Sequence, residues 1–224
     1  MIYFTGDMHG DPRRVNHNAL KTLKDGDTLI ICGDFGFIWN DSKQERKILQ
    51  NLSRKKINVC FIDGTHENFS LLNMYPVVVY HGGKAHKITS NIYHLMRGQI
   101  FQIEGKLIFT FGGGENPDVE YKSDEEINEN RPEVPTGQEM REGIQNMDSV
   151  GYRVDYIVTH EPPASVRAFL SLSQNSTPAV SALGAYFDEL SIQASYRKWF
   201  FGSLHMDKHI STSSVCVFEQ LIPG

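Results

Sequence analysis

The feature that most constrains this chain is a set of five short apolar runs, each stopped abruptly by glycine, aspartate or histidine. Residues 2–4 lead into Gly6-Asp7-Met8-His9-Gly10, 29–32 into Gly33-Asp34, and 59–62 into Asp63-Gly64-Thr65-His66-Glu67. Residues 156–159 lead into His160-Glu161-Pro162-Pro163, and 199–201 into Gly202-Ser203-Leu204-His205. Such runs read as strands. In α/β sheets the groups beyond the carboxyl ends of neighbouring strands meet in one place, so these five ends predict a single cluster of Asp7, His9, Asp34, His66, His160 and His205. The interleaved glycines let the backbone turn sharply there and approach a ligand closely.

Helical patterns separate the first three runs. Residues 12–23 start with Asp11 as N-cap and Pro12 at the first helical position. Residues 42–55 start with Ser42-Lys43-Gln44-Glu45, the spacing of a capping box, and bury Ile48, Leu49 and Leu52. After Pro76, five strand-like runs (77–80, 85–88, 92–96, 100–103 and 107–111) predict an antiparallel sheet. Further helices are expected at about 136–147 and over 178–194, then a strand at 198–201 and a hairpin through 216–218.

At 224 residues, 40% hydrophobic and 22% charged, the chain is neither disordered nor fibrous, and at ~100–200 residues per domain it is expected to form one domain over 1–224. The formal charge of −5 is concentrated in one segment. Residues 115–142 hold ten acids and three bases, which leaves seventeen acids against nineteen bases elsewhere. With Pro117, Pro132 and Pro135 and few large apolar residues, 115–135 is expected to be an exposed acidic insertion. The near-neutral body lacks the basic footprint of a dedicated nucleic-acid binder. Cys32, Cys60 and Cys216 cannot all pair within the chain, and no apolar run nears the ~20 residues of a membrane helix, so a reduced, cytoplasmic protein is expected.

Imidazoles mixed with carboxylates suit Mn²⁺, Zn²⁺ or Fe better than an all-oxygen set would. In these blocks the chain resembles the calcineurin-like metallophosphoesterase superfamily, whose pattern is Asp-x-His, Gly-Asp-x-x-Asp, Gly-Asn-His-Asp/Glu, a further His, and Gly-His-x-His. This chain offers Asp7-Met8-His9, Gly33-Asp34, Gly64-Thr65-His66-Glu67, His160 and Gly202-Ser203-Leu204-His205, in that order, and the resemblance extends to Asp207. It implies an α/β (α+β) fold, a four-layer αββα sandwich of two mixed β-sheets flanked by helices. It also implies two metals. Asp7, His9, Asp34 and His205 would hold the first, and Asp34 would bridge to a second held also by residue 65, His160 and residue 203. His66 would be the catalytic histidine beside the leaving group. The implied reaction is hydrolysis of a phosphomonoester, phosphodiester or nucleotide by a water or hydroxide activated by the metal, on a small phosphorylated substrate.

Three positions depart from that pattern. Thr65 stands in place of an Asn ligand and Ser203 in place of a His ligand, so the second metal keeps only Asp34 and His160 as good donors. The expected centre therefore has one strong site and one weak site. Phe37 stands where an Asp would orient the catalytic histidine, leaving Glu67 or Asp63 as possible substitutes. These departures motivate the competing expectation of a catalytically impaired relative serving as a binding or scaffold module. A nuclease is the third class. The remaining histidines are expected in surface or core roles, Trp39 and Trp199 in the core, and Gly112-Gly113-Gly114 in a turn.

Overall fold

The fold was analysed in a computed structural model that describes residues 1–115, 131–172 and 179–224. Strands β1 (Ile2–Thr5), β2 (Thr28–Ile31) and β3 (Asn58–Phe61) run parallel and in close register, with Ile30 opposite both Phe4 and Cys60. β2 is buried at every position, as a strand covered on both faces must be. β4 (Val77–Tyr80), β5 (Gly83–Lys87) and β6 (Ile92–Leu95) extend this sheet, and β13 (Ile222–Pro223) closes its other edge, in the order β13-β1-β2-β3-β6-β5-β4. The second sheet contains β7 (Gln99–Ile103), β8 (Lys106–Phe111), β9 (Tyr156–Thr159), β10 (Lys198–Phe201), β11 (Lys208–His209) and β12 (Ser214–Cys216). Its order is β11-β12-β10-β9-β8-β7.

The two sheets face each other across Phe4, Ile30, Cys60, Phe101, Ile108, Val158 and Phe200, with Phe4 stacked on Phe200 at 3.8 Å between ring centres. Leu29, Ile31, Val59 and Phe61 point the other way, under α1 (Pro12–Val15), α2 (Lys43–Ser53) and α3 (Phe69–Leu72). On the far side, Phe109, Ile157, Trp199 and Phe201 lie under α4 (Gly137–Ser149) and α6 (Ala182–Gln193), with α5 (Ala164–Ser171) beside α6. This is the expected four-layer αββα arrangement, with a separate apolar cluster between each pair of layers. Each fully buried Leu, Ile or Phe in them contributes about 1.5–3 kcal/mol.

The expected antiparallel half is divided between the sheets. β4, β5 and β6 pair antiparallel with one another, as do β7 and β8, but β6 joins β3 and β8 joins β9 in parallel. The reason is that Ile108–Phe111 are buried on both faces, which a free-standing meander cannot provide. One consequence is that the carboxyl end of β8, followed by Gly112, also reaches the site described below.

Several local expectations are corrected. The first helix stops at Val15, where the Asn16 side chain bonds the Pro12 carbonyl, and a short 3-10 turn follows. Ser42 caps α2 by accepting from Glu45 N, but Glu45 reaches back to Trp39 and Asn40 rather than to Ser42, so the capping box is half formed. The complete box is at α4, between Thr136 and Glu139. The helix expected from 178 starts after Ser181, whose hydroxyl accepts from Gly184 N. The hairpin expected through 216–218 is made instead by β11 and β12 and ends at Cys216. Trp199 is core, whereas Trp39 is exposed. Of the acidic insertion, 116–130 lie outside the described residues, and its far end is not exposed: Val134 is buried, and Arg97 donates to the carbonyls of Pro132 and Glu133.

Arg97 is the centre of a buried polar network behind the strand ends. It donates from Nε to Asp63 at 2.8 Å, while His94 Nε2 meets the other Asp63 oxygen at 3.0 Å and His94 Nδ1 meets His86 Nδ1 at 2.9 Å. Burial alone would raise the Asp63 pKa, but Arg97 and His94 hold it well below the usual carboxylate range. Burial, with His94 close by, lowers His86 from 6.5 to about 4. Replacing Arg97 with Met leaves a buried carboxylate short of its cation and should cost about 3–5 kcal/mol, measurable by urea unfolding. The depressed His86 value favours the neutral ring in the folded state. Its contribution to stability is therefore full above pH 6.5 and lost as pH falls toward about 4. Unfolding free energies across that range should decline, and less steeply in His86→Gln.

Candidate metal centre

The five strand-end loops lock onto one another through backbone hydrogen bonds. Met8 and His9 N–H donate to the Asp34 carbonyl at 2.9 and 2.8 Å, and Gly202 and Ser203 N–H donate to the His160 carbonyl at 3.1 Å. The Glu67 carboxylate accepts from Phe35 N at 2.7 Å and Gly36 N at 3.4 Å, which fixes the loop that carries Asp34. These contacts hold His9, Asp34 and His205 at φ of 48°, 47° and 49°, a left-handed conformation that costs of order 1–3 kcal/mol for such residues. The strain aims three side chains inward. Gly33 and Gly202 clear the space they need: a Cβ on Gly33 would overlap the His160 ring, and one on Gly202 would press on the Asp7 carboxylate.

All six side chains expected at the site converge. Asp7, Asp34 and His160 form the floor, with side chains 0%, 2% and 2% exposed, and His9, His205 and His66 form the rim at 35%, 52% and 65%. His205 Nε2 lies 2.9 Å from Asp7 Oδ2 and 3.0 Å from His9 Nε2. His9 Nδ1 is 3.6 Å from Asp34 Oδ2, and His160 Nε2 is 3.8 Å from Asp34 Oδ1. Three sets of donor atoms gather within 4.8 Å: Asp7, His9 and His205; Asp7, Asp34 and His160; and His9, Asp34 and His66.

The electrostatics of this arrangement call for a cation. Both Asp7 oxygens are buried and neither accepts a hydrogen bond. Burial, with Asp34 adding like charge, raises the Asp7 pKa against the pull of the histidines. Asp34 is held below its ordinary value: burial opposes this, but His160 and the His66 ring and N–H outweigh it. Burial depresses His9, which favours its neutral, donor form. His160 Nδ1 donates to the Cys32 carbonyl at 3.1 Å, so in the neutral ring Nε2 carries the lone pair that faces the cluster. A buried carboxylate that accepts no hydrogen bond, with imidazole nitrogens close around it, is a donor set that suits a divalent transition metal.

The substituted positions are engaged elsewhere. Thr65 Oγ1 lies 3.0 Å from His66 Nδ1, and Ser203 Oγ donates to Glu161 at 3.2 Å. Phe37 is buried against Phe35. Neither suggested substitute for an acid at 37 reaches His66, since Glu67 holds the Asp34 loop and Asp63 pairs with Arg97 and His94. Asp34 itself makes the contact, at 3.0 Å to His66 Nδ1. Gly112-Gly113-Gly114 is no phosphate cradle, because the Gly113 and Gly114 N–H groups bond to the carbonyls of Asp63 and Glu133.

Other supporting residues carried no signal in the sequence. Phe218 stacks on His205 at 5.1 Å, and Asp207 fixes the Phe218 loop by accepting from three successive N–H groups. Arg14 donates to the Phe218 carbonyl. Arg14 meets this loop across 204 residues of chain, whereas Asp207 lies only 11 residues from Phe218, so folding rather than a sequence motif brings the three together. In metal-free protein, Asp7→Asn should remove a buried carboxylate that accepts no hydrogen bond and raise the melting temperature by several degrees, at about 2–4 °C per kcal/mol. The same change should abolish the thermal shift given by Mn²⁺. A lower melting temperature with an intact Mn²⁺ shift would contradict the assignment of Asp7.

A family model described as calcineurin-like phosphoesterase matches residues 1–209. No curated protein matches the chain.

Proposed function

The chain belongs to the calcineurin-like phosphoesterase family, and on that footing we propose a metal-dependent hydrolase of a phosphomonoester, phosphodiester or nucleotide with one strong and one weak metal site. The observation that carries this reading is the Asp7 carboxylate, buried without a hydrogen bond where His9, His205, Asp34 and His160 converge. Asp7, His9, Asp34 and His205 would hold the first ion, and Asp34 and His160 would contribute to the second. Bound Mn²⁺, Fe or Zn²⁺ would supply Lewis acidity and a water acidic enough to attack near neutral pH.

The protein's own groups do the rest. The closed floor of Asp7, Asp34 and His160 excludes water from below, and the rim histidines leave the upper side open to a phosphate ester. His66 stands there with Nδ1 directed at Asp34, which gives the orientation that Phe37 cannot, and Nε2 free to protonate a departing alkoxide. A compact substrate fits the near-neutral body better than a long polyanion.

Equilibrium dialysis should find one tightly held Mn²⁺ per chain and a second only at high concentration; two tight ions would defeat the weak-site assignment. His66→Ala should slow hydrolysis of phenyl phosphate by roughly 10²–10⁴-fold but affect p-nitrophenyl phosphate, with its better leaving group, far less. The commitment of the Thr65 and Ser203 hydroxyls to other partners favours a second reading, a binding module. No turnover of a generic monoester or diester at saturating Mn²⁺ would decide for it.

A further inference from the structure

We propose that Glu161 is the carboxylate donor of the second metal position and that Arg167 controls how readily it serves there. The proposal rests on the metal-dependent reading and adds a ligand to it. The two hydroxyl positions that weaken the second site both border this carboxylate. Ser203 Oγ donates to Glu161 Oε2 at 3.2 Å, and a Cβ placed on Gly114 would touch both Thr65 Cγ2 and Glu161 Oε1. Glu161 thus stands beside His160, next to the places where an Asn and a His would otherwise converge.

The backbone leaves Glu161 little choice of position. Its carbonyl accepts from Thr159 Oγ1 at 2.6 Å, and Thr159 Oγ1 accepts in turn from the buried Trp199 Nε1 at 2.8 Å. Pro162 and Pro163 stiffen the segment that follows. The adjacent His160 carbonyl is tied to Gly202 and Ser203, so residue 161 is held against the loop of residue 203. A buried hydrogen-bond chain and two prolines therefore fix where this side chain starts.

Chemistry favours the assignment. A carboxylate oxygen is a far better donor to Mn²⁺ than a threonine or serine hydroxyl, and with Asp34 and His160 it makes three good ligands instead of two. Arg167, on α5, forms an ion pair with the same carboxylate, whose side chain is only 15% exposed. Among the described residues, no donor triad includes Glu161 while it is paired in this way. Guanidinium and metal thus compete for one set of oxygens, and the second site fills when the metal wins.

Mn²⁺ titration by calorimetry, together with electron paramagnetic resonance of the loaded protein, tests this directly. The wild-type chain should show a tight class of sites and a weaker one. Glu161→Gln keeps the shape and the Ser203 hydrogen bond; it should weaken the second class roughly 10–100-fold and leave the first unchanged. Arg167→Met should tighten the second class by roughly tenfold, and an exchange-coupled dimanganese spectrum should appear at lower Mn²⁺. Arg167→Lys, which keeps the charge but loses the planar fork, should fall between. A second class indifferent to Glu161→Gln overturns the assignment of Glu161, as does one that weakens in Arg167→Met. A wild-type chain with no tight Mn²⁺ class overturns the metal-dependent reading itself, and so separates that failure from the failure of Glu161.

Discussion

The organising interaction of this molecule is the charge of Asp7, buried at the seam between two sheets with no hydrogen bond to either oxygen. A carboxylate in that position is expensive unless a cation faces it. The surrounding backbone is arranged to keep it there: Gly202 is bare of a side chain where Asp7 needs space, and His205 is held in a left-handed conformation against it. Stability is given up at this point so that nitrogen and oxygen donors share a focus.

What permits such a concentration is the layered core behind it. β1, β2 and β3 in one sheet and β8, β9 and β10 in the other present their carboxyl ends along the same side. Apolar clusters on both faces of each sheet hold those ends rigid. The network of Asp63, Arg97, His94 and His86 has the opposite character from the site. Its charges are paired and directly bonded, which suits a structural brace one residue from the turn that carries Thr65 and His66.

The departures from the family pattern take on a physical meaning in three dimensions. Phe37 does not leave His66 without a carboxylate, because Asp34 faces its ring. Thr65 and Ser203 do not stand idle, because each hydroxyl has a partner. Glu161, which in the chain reads only as the residue before two prolines, sits against Ser203 and carries its own counter-charge in Arg167. The positions that depart from the pattern lie beside a further pair of charges, Glu161 and Arg167, at the edge of the same floor.

The sequence by itself determined the strand ends and the residues on them, because an apolar run stopped by glycine and a ligand-type side chain is a local pattern that one stretch of chain carries complete. Asp7, His9, Asp34, His66, His160 and His205 were legible for that reason, and Asp11 and Ser42 as caps for the same one. Only the tertiary structure decided which partners the strands took. β6 and β8 read as antiparallel from their neighbours in sequence, yet burial on both faces drew them into parallel pairs with β3 and β9. It also decided the work of Glu67, Arg97, Phe218 and Glu161, since each acts on a group brought near by the sheets, and no spacing along the chain records contacts of that kind.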